Sequence, residues 1–238
     1  MYKLKNLFND SFLDYCKNPI VVFPTLILWI FFAVFSKISV MMNYKLQDSY
    51  LLTSWLVLFS IISLLVTSFF LSGLIGICGE LIKKKFKKKS FFYNSRKFWL
   101  RNFLVIIIFV ILYNVVRYIA HNAAFFIGKS LSLEVNAAVG MFFLFYFTGI
   151  LGILIFFSFT SFYLINYNLS VLDSIKKSFF LVKKRYIETL IIFIIFFVIN
   201  EVIVKFIPSL GVELINALFV VPYLSLILSR FVLTFGEK

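Results

Sequence analysis

Long runs of apolar residues alternate with short polar segments along the whole chain. Six runs are long enough to cross a hydrocarbon core of about 30 Å, which needs roughly 20 helical residues. They predict membrane-spanning helices at Ile20–Met41, Leu51–Cys78, Phe103–Phe126, Ala138–Tyr163, Thr189–Ile207 and Leu214–Leu233. We therefore expect an all-α integral membrane protein with six transmembrane helices, forming a single membrane domain over residues 1–238.

A repeat divides these six segments into three hairpins. A Ser-Phe pair precedes each odd-numbered span, beginning at Ser11, Ser90 and Ser178. Each pair lies in a mixed basic and apolar stretch that is typical of an amphipathic helix at a membrane surface. Ser170 and Asp173 have the spacing of a capping box at the start of the third stretch. The predicted unit is an interfacial helix followed by a transmembrane hairpin, the alternative being chance pairing of two common residues.

In the third of these stretches, apolar residues fall on one face at helical spacing, as in an amphipathic helix. They are Val171, Leu172, Ile175, Phe179 and Val182.

Composition excludes an ordinary water-soluble globule. Hydrophobic residues make up 62% of the chain and charged residues 14%, against about 45–50% and 25% in soluble domains. The net charge of +14 would suggest nucleic-acid binding in a soluble protein. No soluble module is predicted here, so we expect no nucleic-acid partner.

The basic residues instead divide unequally between the two sides of the predicted bundle. With both termini in the cytoplasm, nineteen lysines and arginines lie on that side and four on the other, while Arg117 falls inside the third span. Short cytoplasmic loops accumulate Lys and Arg. The pattern therefore predicts a multi-pass protein of the cell membrane with both termini cytoplasmic.

Three local features carry a resemblance to a known group: prolines at the first span, glycines ending the second, and a polar-to-basic segment before the fifth. They are Asn18-Pro19, Pro24, Gly73, Gly76, Gly79 and Ser170–Phe179. In these features the chain resembles prokaryotic six-helix membrane proteins, uncharacterised families related to the membrane domain of glycerophosphoryl diester phosphodiesterases. Catalysis in that group belongs to an appended soluble barrel. The sequence ends at Lys238 without one, so the resemblance implies the fold and no phosphodiesterase activity.

Small residues line one face of two predicted spans. Small side chains let helix backbones approach closely in lipid, so we expect packing inside the bundle, with a dimer or substrate face as the alternative. The residues are Ser68, Ser72, Gly73, Gly76 and Gly79 on the second span, and Gly149 and Gly152 on the fourth.

Ionisable side chains inside the predicted spans are a sharper signal, because a charge in lipid is costly unless it is paired. Arg117 and Glu201 fall at similar depths in the outer half, and we expect them to form an ion pair. The alternative is a polar cavity, open to the outer side, that binds an anionic head group or solute. The candidate cluster is Lys37, Asn114, Arg117, His121, Glu201 and Lys205.

A lysine-rich connector follows the second span. Such a run is a topology signal and also attracts the anionic surface of the cytoplasmic leaflet. The neighbouring aromatic residues are expected to insert beside it, namely Phe91, Phe92, Phe98 and Trp99. The candidate anionic-lipid contacts are Lys83, Lys84, Lys85, Lys87, Lys88 and Lys89.

No catalytic constellation emerges from the sequence. The single histidine, His121, leaves no paired-histidine metal site, and no Gly-x-Ser-x-Gly elbow or Walker loop occurs. We therefore expect no enzyme, no cofactor and no metal. Two function classes stay open: a membrane-embedded binding or transport module for an anionic lipid or amphiphile, and a structural partner that docks another membrane or cytoplasmic protein through its interfacial helices.

Overall fold

The structure, a computed structural model, describes residues 4–45, 49–87, 89–131 and 135–236, and these ranges contain helices and no strand. Six helical segments are long and apolar enough to cross a membrane, which confirms the all-α, six-span prediction. They run over Pro19–Met42, Tyr50–Ile82, Ser90–Ser130, Val135–Asn166, Tyr186–Phe206 and Gly211–Phe235.

The α-helices of these described ranges are numbered in chain order. They are α1 (Leu4–Lys17), α2 (Val22–Lys45), α3 (Ser49–Ile82), α4 (Ser90–Ser130), α5 (Val135–Phe157), α6 (Thr160–Asn166), α7 (Val171–Lys184), α8 (Tyr186–Phe206), α9 (Ser209–Ile215) and α10 (Val221–Phe235). A 3₁₀ turn at Pro19–Val21 joins α1 to α2, and a π-helical turn at Asn216–Val220 joins α9 to α10.

The buried core lies toward one end of the bundle. We call this the basic end, because the lysine-rich connector between α3 and α4 lies there together with α6 and α7. Toward the opposite end, the main buried side chains are Ala120 and Ala124 of α4, beside α5. The largest fully buried side chains of the main core are Tyr163, Phe159, Phe231, Leu7, Ile75, Leu164, Ile192 and Ile227.

Glycines on α3 make the contact of α3 with α4 close. A Cβ atom on Gly73 would collide with the Phe91 ring, and one on Gly76 would collide with Asn94. A Cβ atom on Gly79 would collide with the Asn166 side chain at the end of α6. These glycines therefore pack inside the bundle, as predicted.

The two glycines of α5 differ from each other. A Cβ atom on Gly149 would meet the side chain of Val116 in α4, whereas one on Gly152 would meet nothing within 4 Å. Packing is thus confirmed for Gly149 and not for Gly152.

Two of the six spans are interrupted, which the apolar pattern does not predict. The fourth breaks at residues 158–159, between α5 and α6. There the Ser178 hydroxyl donates to the Phe156 carbonyl at 2.7 Å. A carbonyl at the break is thus satisfied by a side chain of α7, as burial requires.

The π-helical turn interrupts the sixth span just before Pro222. Proline has no N–H to donate and disrupts the helical hydrogen-bond ladder. The carbonyls of Ala217 and Leu218 accept bonds from elsewhere, from the Thr25 hydroxyl at 2.6 Å and the Tyr15 hydroxyl at 2.7 Å. Burial, with a smaller contribution from the neighbouring Cys16, raises the pKa of Tyr15 above its ordinary value.

The three serines of the repeat, Ser11, Ser90 and Ser178, are all buried. Their surroundings differ, because α1 and α7 are separate helices whereas the stretch at Ser90 is the first part of the 41-residue α4. The predicted cap of α7 is confirmed, since the Ser170 side chain accepts the Asp173 N–H at 3.2 Å.

The apolar residues of α7 do not share one environment. Leu172 and Phe179 are exposed, while Ser174, Ser178 and Leu181 point into the bundle. The reason is steric, because the small serines let α7 approach close enough to α5 for the Ser178 bond to Phe156.

Candidate functional site

A tight turn at the end of α3 begins the lysine-rich connector. The Lys84 N–H bonds to the Leu81 carbonyl at 2.9 Å and the Lys85 N–H to the Glu80 carbonyl at 2.8 Å, a Schellman arrangement. The motif places its C′ residue in the left-handed region, and Lys84 has φ 55° there. Lysine adopts this conformation less readily than glycine, so the turn is held by its surroundings.

Two contacts fix the rest of the connector. Phe86 packs against the apolar cluster that contains Leu74 and Phe91. The Ser90 hydroxyl accepts the Lys87 N–H at 3.0 Å, just before α4 begins. Since Phe86 points into the bundle, the flanking Lys85 and Lys87 are held at its surface.

A cavity of about 740 Å³ lies beside this connector at the basic end. Five lysine side chains and a single acidic one line it, and amides and apolar groups complete the wall. We call it the lysine pocket. Its lining comprises Gly76, Gly79, Glu80, Lys83, Lys85, Lys87, Lys89, Ser90, Tyr93, Asn94, Lys97, Phe98, Ile165, Asn166 and Asn168.

The one acidic group of the pocket is bound to the first turns of α4. Glu80 accepts a hydrogen bond from the Asn94 side-chain amide at 2.8 Å and another from the Ser90 hydroxyl. Asn94 also donates to the Ser90 carbonyl at 2.9 Å. The end of α3 is thereby joined to the start of α4 across the pocket.

The segment between α6 and α7 forms the opposite wall. Lys83 donates to the Asn166 carbonyl at 2.8 Å, and its ammonium lies 5.4 Å from the centre of the Tyr167 ring. Arg101 donates to the Asn168 side chain at 3.3 Å. Asn168 has φ 52°, a left-handed conformation in which Asn is enriched.

The structure brings together four of the six predicted anionic-lipid contacts. Lys83, Lys85, Lys87 and Lys89 line the lysine pocket, whereas Lys84 is exposed outside its lining. Lys88 lies outside the described residues.

The predicted insertion of the nearby aromatic residues is wrong for Phe91 and Phe98. Both are buried in the core, because this part of α4 packs closely against the glycine face of α3. Phe92 and Tyr93, both 60% exposed, face outward instead.

The predicted intramembrane cluster is only partly assembled. Asn114, Arg117 and His121 share one face of α4 and line a cavity of about 430 Å³ with Tyr118 and Phe142. Glu201 and Lys205 lie on α8 and Lys37 on α2, outside that cavity. The three polar residues of α4 therefore form a cluster, and the predicted members on α2 and α8 are not part of it.

The predicted ion pair between Arg117 and Glu201 is wrong. Both side chains are exposed, and no salt bridge joins them in the described part of the chain. The physical reason is packing: α4 packs chiefly on α3 and α5, and α8 contacts it too little to bring the two side chains together. Equal depth does not place two helices side by side.

Ion pairs between α1 and α10, at the basic end, were not foreseen. Arg230 of α10 pairs with Asp10 at 3.8 Å and more closely with Asp14, both on α1. The Tyr223 hydroxyl adds a bond to the Phe8 carbonyl at 3.1 Å. In the sequence, Arg230 counted only as a topology signal, although its place within an apolar helix could have marked it as paired.

Glu80 and the amides of the lysine pocket were also missed. The sequence feature that could have identified Glu80 is its place between the last glycine of α3, Gly79, and the lysines that begin at Lys83. Within the described residues, no group of three His, Cys, Asp or Glu side chains could hold a metal ion.

No family model, no curated protein and no solved structure matches this chain. The resemblance to the six-helix phosphodiesterase-related group therefore stays a prediction.

Proposed function

We propose that the protein is a non-enzymatic, membrane-embedded module that binds an anionic lipid or amphiphile, with the lysine pocket as its head-group site. The supporting observation is the pocket's charge: five lysines and one glutamate line it, a net charge of +4. Basic pockets between transmembrane helices suit anionic lipid head groups.

The pocket's surroundings favour a lipid as the ligand. Exposed Phe92 and Tyr93 lie at the start of a membrane-length helix, beside Lys89, Arg96 and Lys97. Aromatic rings next to basic side chains are typical of the head-group level of a membrane. A lipid could thus place its phosphate among the lysines while its chains stay in the bilayer.

The same proposal places α1, the first part of α4 and α7 at the membrane surface, each preceding a transmembrane hairpin. On α7, exposed Leu172, Phe179 and Phe180 alternate with exposed Lys176 and Lys177. Apolar side chains among lysines suit the boundary of an anionic leaflet.

Neutralising three pocket lysines is expected to remove bound anionic lipid. The variant is Lys85→Gln, Lys87→Gln, Lys89→Gln, which keeps Lys83 and its bond to Asn166. At roughly 1 kcal/mol per lysine near an anionic surface, retention should fall by about tenfold or more. Native mass spectrometry of the purified protein, supplied with equal phosphatidylglycerol and phosphatidylcholine, measures the retained lipid.

The matched control is Lys176→Gln, Lys177→Gln, Lys183→Gln on α7, which removes the same charge from exposed lysines at the same end. It should retain lipid like the parent protein, because these lysines face the leaflet surface and lie outside the pocket that would enclose a head group. Equal losses in both triple variants, or no retained phosphatidylglycerol in the parent, would refute the lysine pocket as the site. The alternative, docking of a protein partner through the interfacial helices, would then be the better proposal.

We also propose that the basic end faces the cytoplasm of the cell, where both termini lie, because Lys and Arg accumulate there. In a background of Cys16→Ala and Cys78→Ala, single cysteines replace Lys177 on α7 and Lys129 at the far end of α4. Both positions are exposed. An impermeant thiol reagent should label the Lys129→Cys protein in intact cells and the Lys177→Cys protein only after permeabilisation. The reverse pattern would invert the topology.

A further inference from the structure

We propose that the lysine pocket selects a lipid head group that carries more than one phosphate charge, and that Glu80 limits the strength of this preference. The inference rests on the proposed lipid-binding function and deepens it. It comes from the charge balance of the pocket and from where its single carboxylate is bound.

The charge balance favours a multiply charged ligand. With a net charge of +4 among the lining residues, a head group with one negative charge leaves most of the lysines uncompensated. A second phosphate would lie near further lysines, because five lysines line the same cavity. They are Lys83, Lys85, Lys87, Lys89 and Lys97. The volume of about 740 Å³ lies within the usual range of ligand pockets, about 300–1,000 Å³.

Glu80 occupies the position where one anionic group would otherwise bind. The start of an α-helix attracts negative charge. Here the Glu80 carboxylate accepts hydrogen bonds from the Ser90 hydroxyl and the Asn94 side-chain amide, both in the first turns of the 41-residue α4. Ser90 and Asn94 are themselves buried, at 4% and 6% exposure, so they are poorly placed to bond water in place of Glu80.

The carboxylate therefore acts as a built-in counter-ion. It offsets one lysine and fills the helix-terminal donors, which weakens the attraction for every anionic head group. A second phosphate still gains attraction because Glu80 offsets only one of the five lysines. The preference is thus the difference between the binding free energies of the two ligands.

The test uses two lipids that differ by one phosphate. Phosphatidylinositol and phosphatidylinositol 4-phosphate with the same acyl chains are supplied in equal amounts to the full-length protein, and native mass spectrometry gives their retained ratio. The parent protein should favour the 4-phosphate about tenfold, since 1.4 kcal/mol corresponds to a factor of ten and each lysine near the charge contributes about 1 kcal/mol. Glu80→Gln should retain more of both lipids and raise the ratio by about threefold or more, because the removed carboxylate no longer offsets a lysine that the second phosphate can meet; an unchanged or lower ratio would overturn this role of Glu80.

Two controls keep the test decisive. Glu188→Gln removes a carboxylate from the basic end outside the pocket lining and should leave the ratio unchanged. If Glu80→Gln proves too unstable to purify, Lys87→Gln with Lys89→Gln offers a second route, because it removes two of the five lysine charges in the pocket. That double variant should lower the ratio.

Soluble inositol 1,4-bisphosphate separates a lipid from a free phosphate ligand. It should displace the lipid only at about a hundredfold higher concentration, because it lacks the acyl chains that stay in the bilayer. Displacement at equal concentration would overturn the assignment to a lipid. Equal retention of both inositol lipids by the parent, with the lysine dependence intact, would overturn the charge selection alone. Loss of all lysine-dependent retention would overturn the proposed function as well.

Discussion

Replacement of Arg230 by methionine is expected to destabilise the protein by about 2 kcal/mol and to release α1 from α10. Arg230 pairs with Asp10 and Asp14, so its loss leaves two carboxylates without their cation beside an apolar helix. Breaking a fully buried pair costs about 3–5 kcal/mol. The smaller figure applies because the Asp10 and Asp14 side chains remain 42% and 28% exposed. Thermal unfolding in detergent measures the loss, and limited proteolysis within residues 4–17 measures release of α1.

The control for this prediction is Arg185→Met. Arg185 pairs with Glu188 at 2.8 Å, three residues along the chain, and a local pair at this spacing contributes about 0.2–0.5 kcal/mol. The triple variant Arg230→Met, Asp10→Asn, Asp14→Asn should recover part of the loss because it removes the stranded charges. If Arg230→Met unfolds at the same temperature as Arg185→Met, α1 is held by Leu7 and the Tyr223 bond without help from the charges.

Replacement of Gly76 by alanine is expected to cost about 1–3 kcal/mol, the usual range for overpacking a close contact. The added Cβ would overlap the Cβ and Cγ atoms of Asn94. Asn94 holds Glu80 through a bond at 2.8 Å, so it has little freedom to move away. The wall of the lysine pocket should therefore loosen, and lipid retention should fall together with the unfolding temperature.

Gly152→Ala is the matched control in α5, where the added Cβ meets nothing within 4 Å. Because alanine favours a helix over glycine, this variant should be as stable as the parent or slightly more so. An unfolding temperature for Gly76→Ala equal to that of Gly152→Ala would show that α3 and α4 can separate without cost. The same melts, recorded with and without added anionic lipid, report whether the pocket still binds.

The sequence by itself determined the number and approximate positions of the spans. A run of about 20 apolar residues forms a helix in lipid because every backbone group must find its partner within the segment. The glycines at Gly73, Gly76 and Gly79 and the cap at Ser170 were likewise readable. Each depends on neighbours close in the chain or on a rule that holds for any helix pair in lipid.

What only the tertiary structure decided is which helices lie side by side. Arg117 and Glu201 share a depth and not an interface, whereas Arg230 meets Asp14 across more than two hundred residues of chain. Glu80 became part of a pocket only because Asn94 and the segment at Asn166 pack against the end of α3. Periodicity shows which face of a helix is apolar and which is polar. The helix that packs against that face depends on the packing of all the helices together, which no single segment encodes.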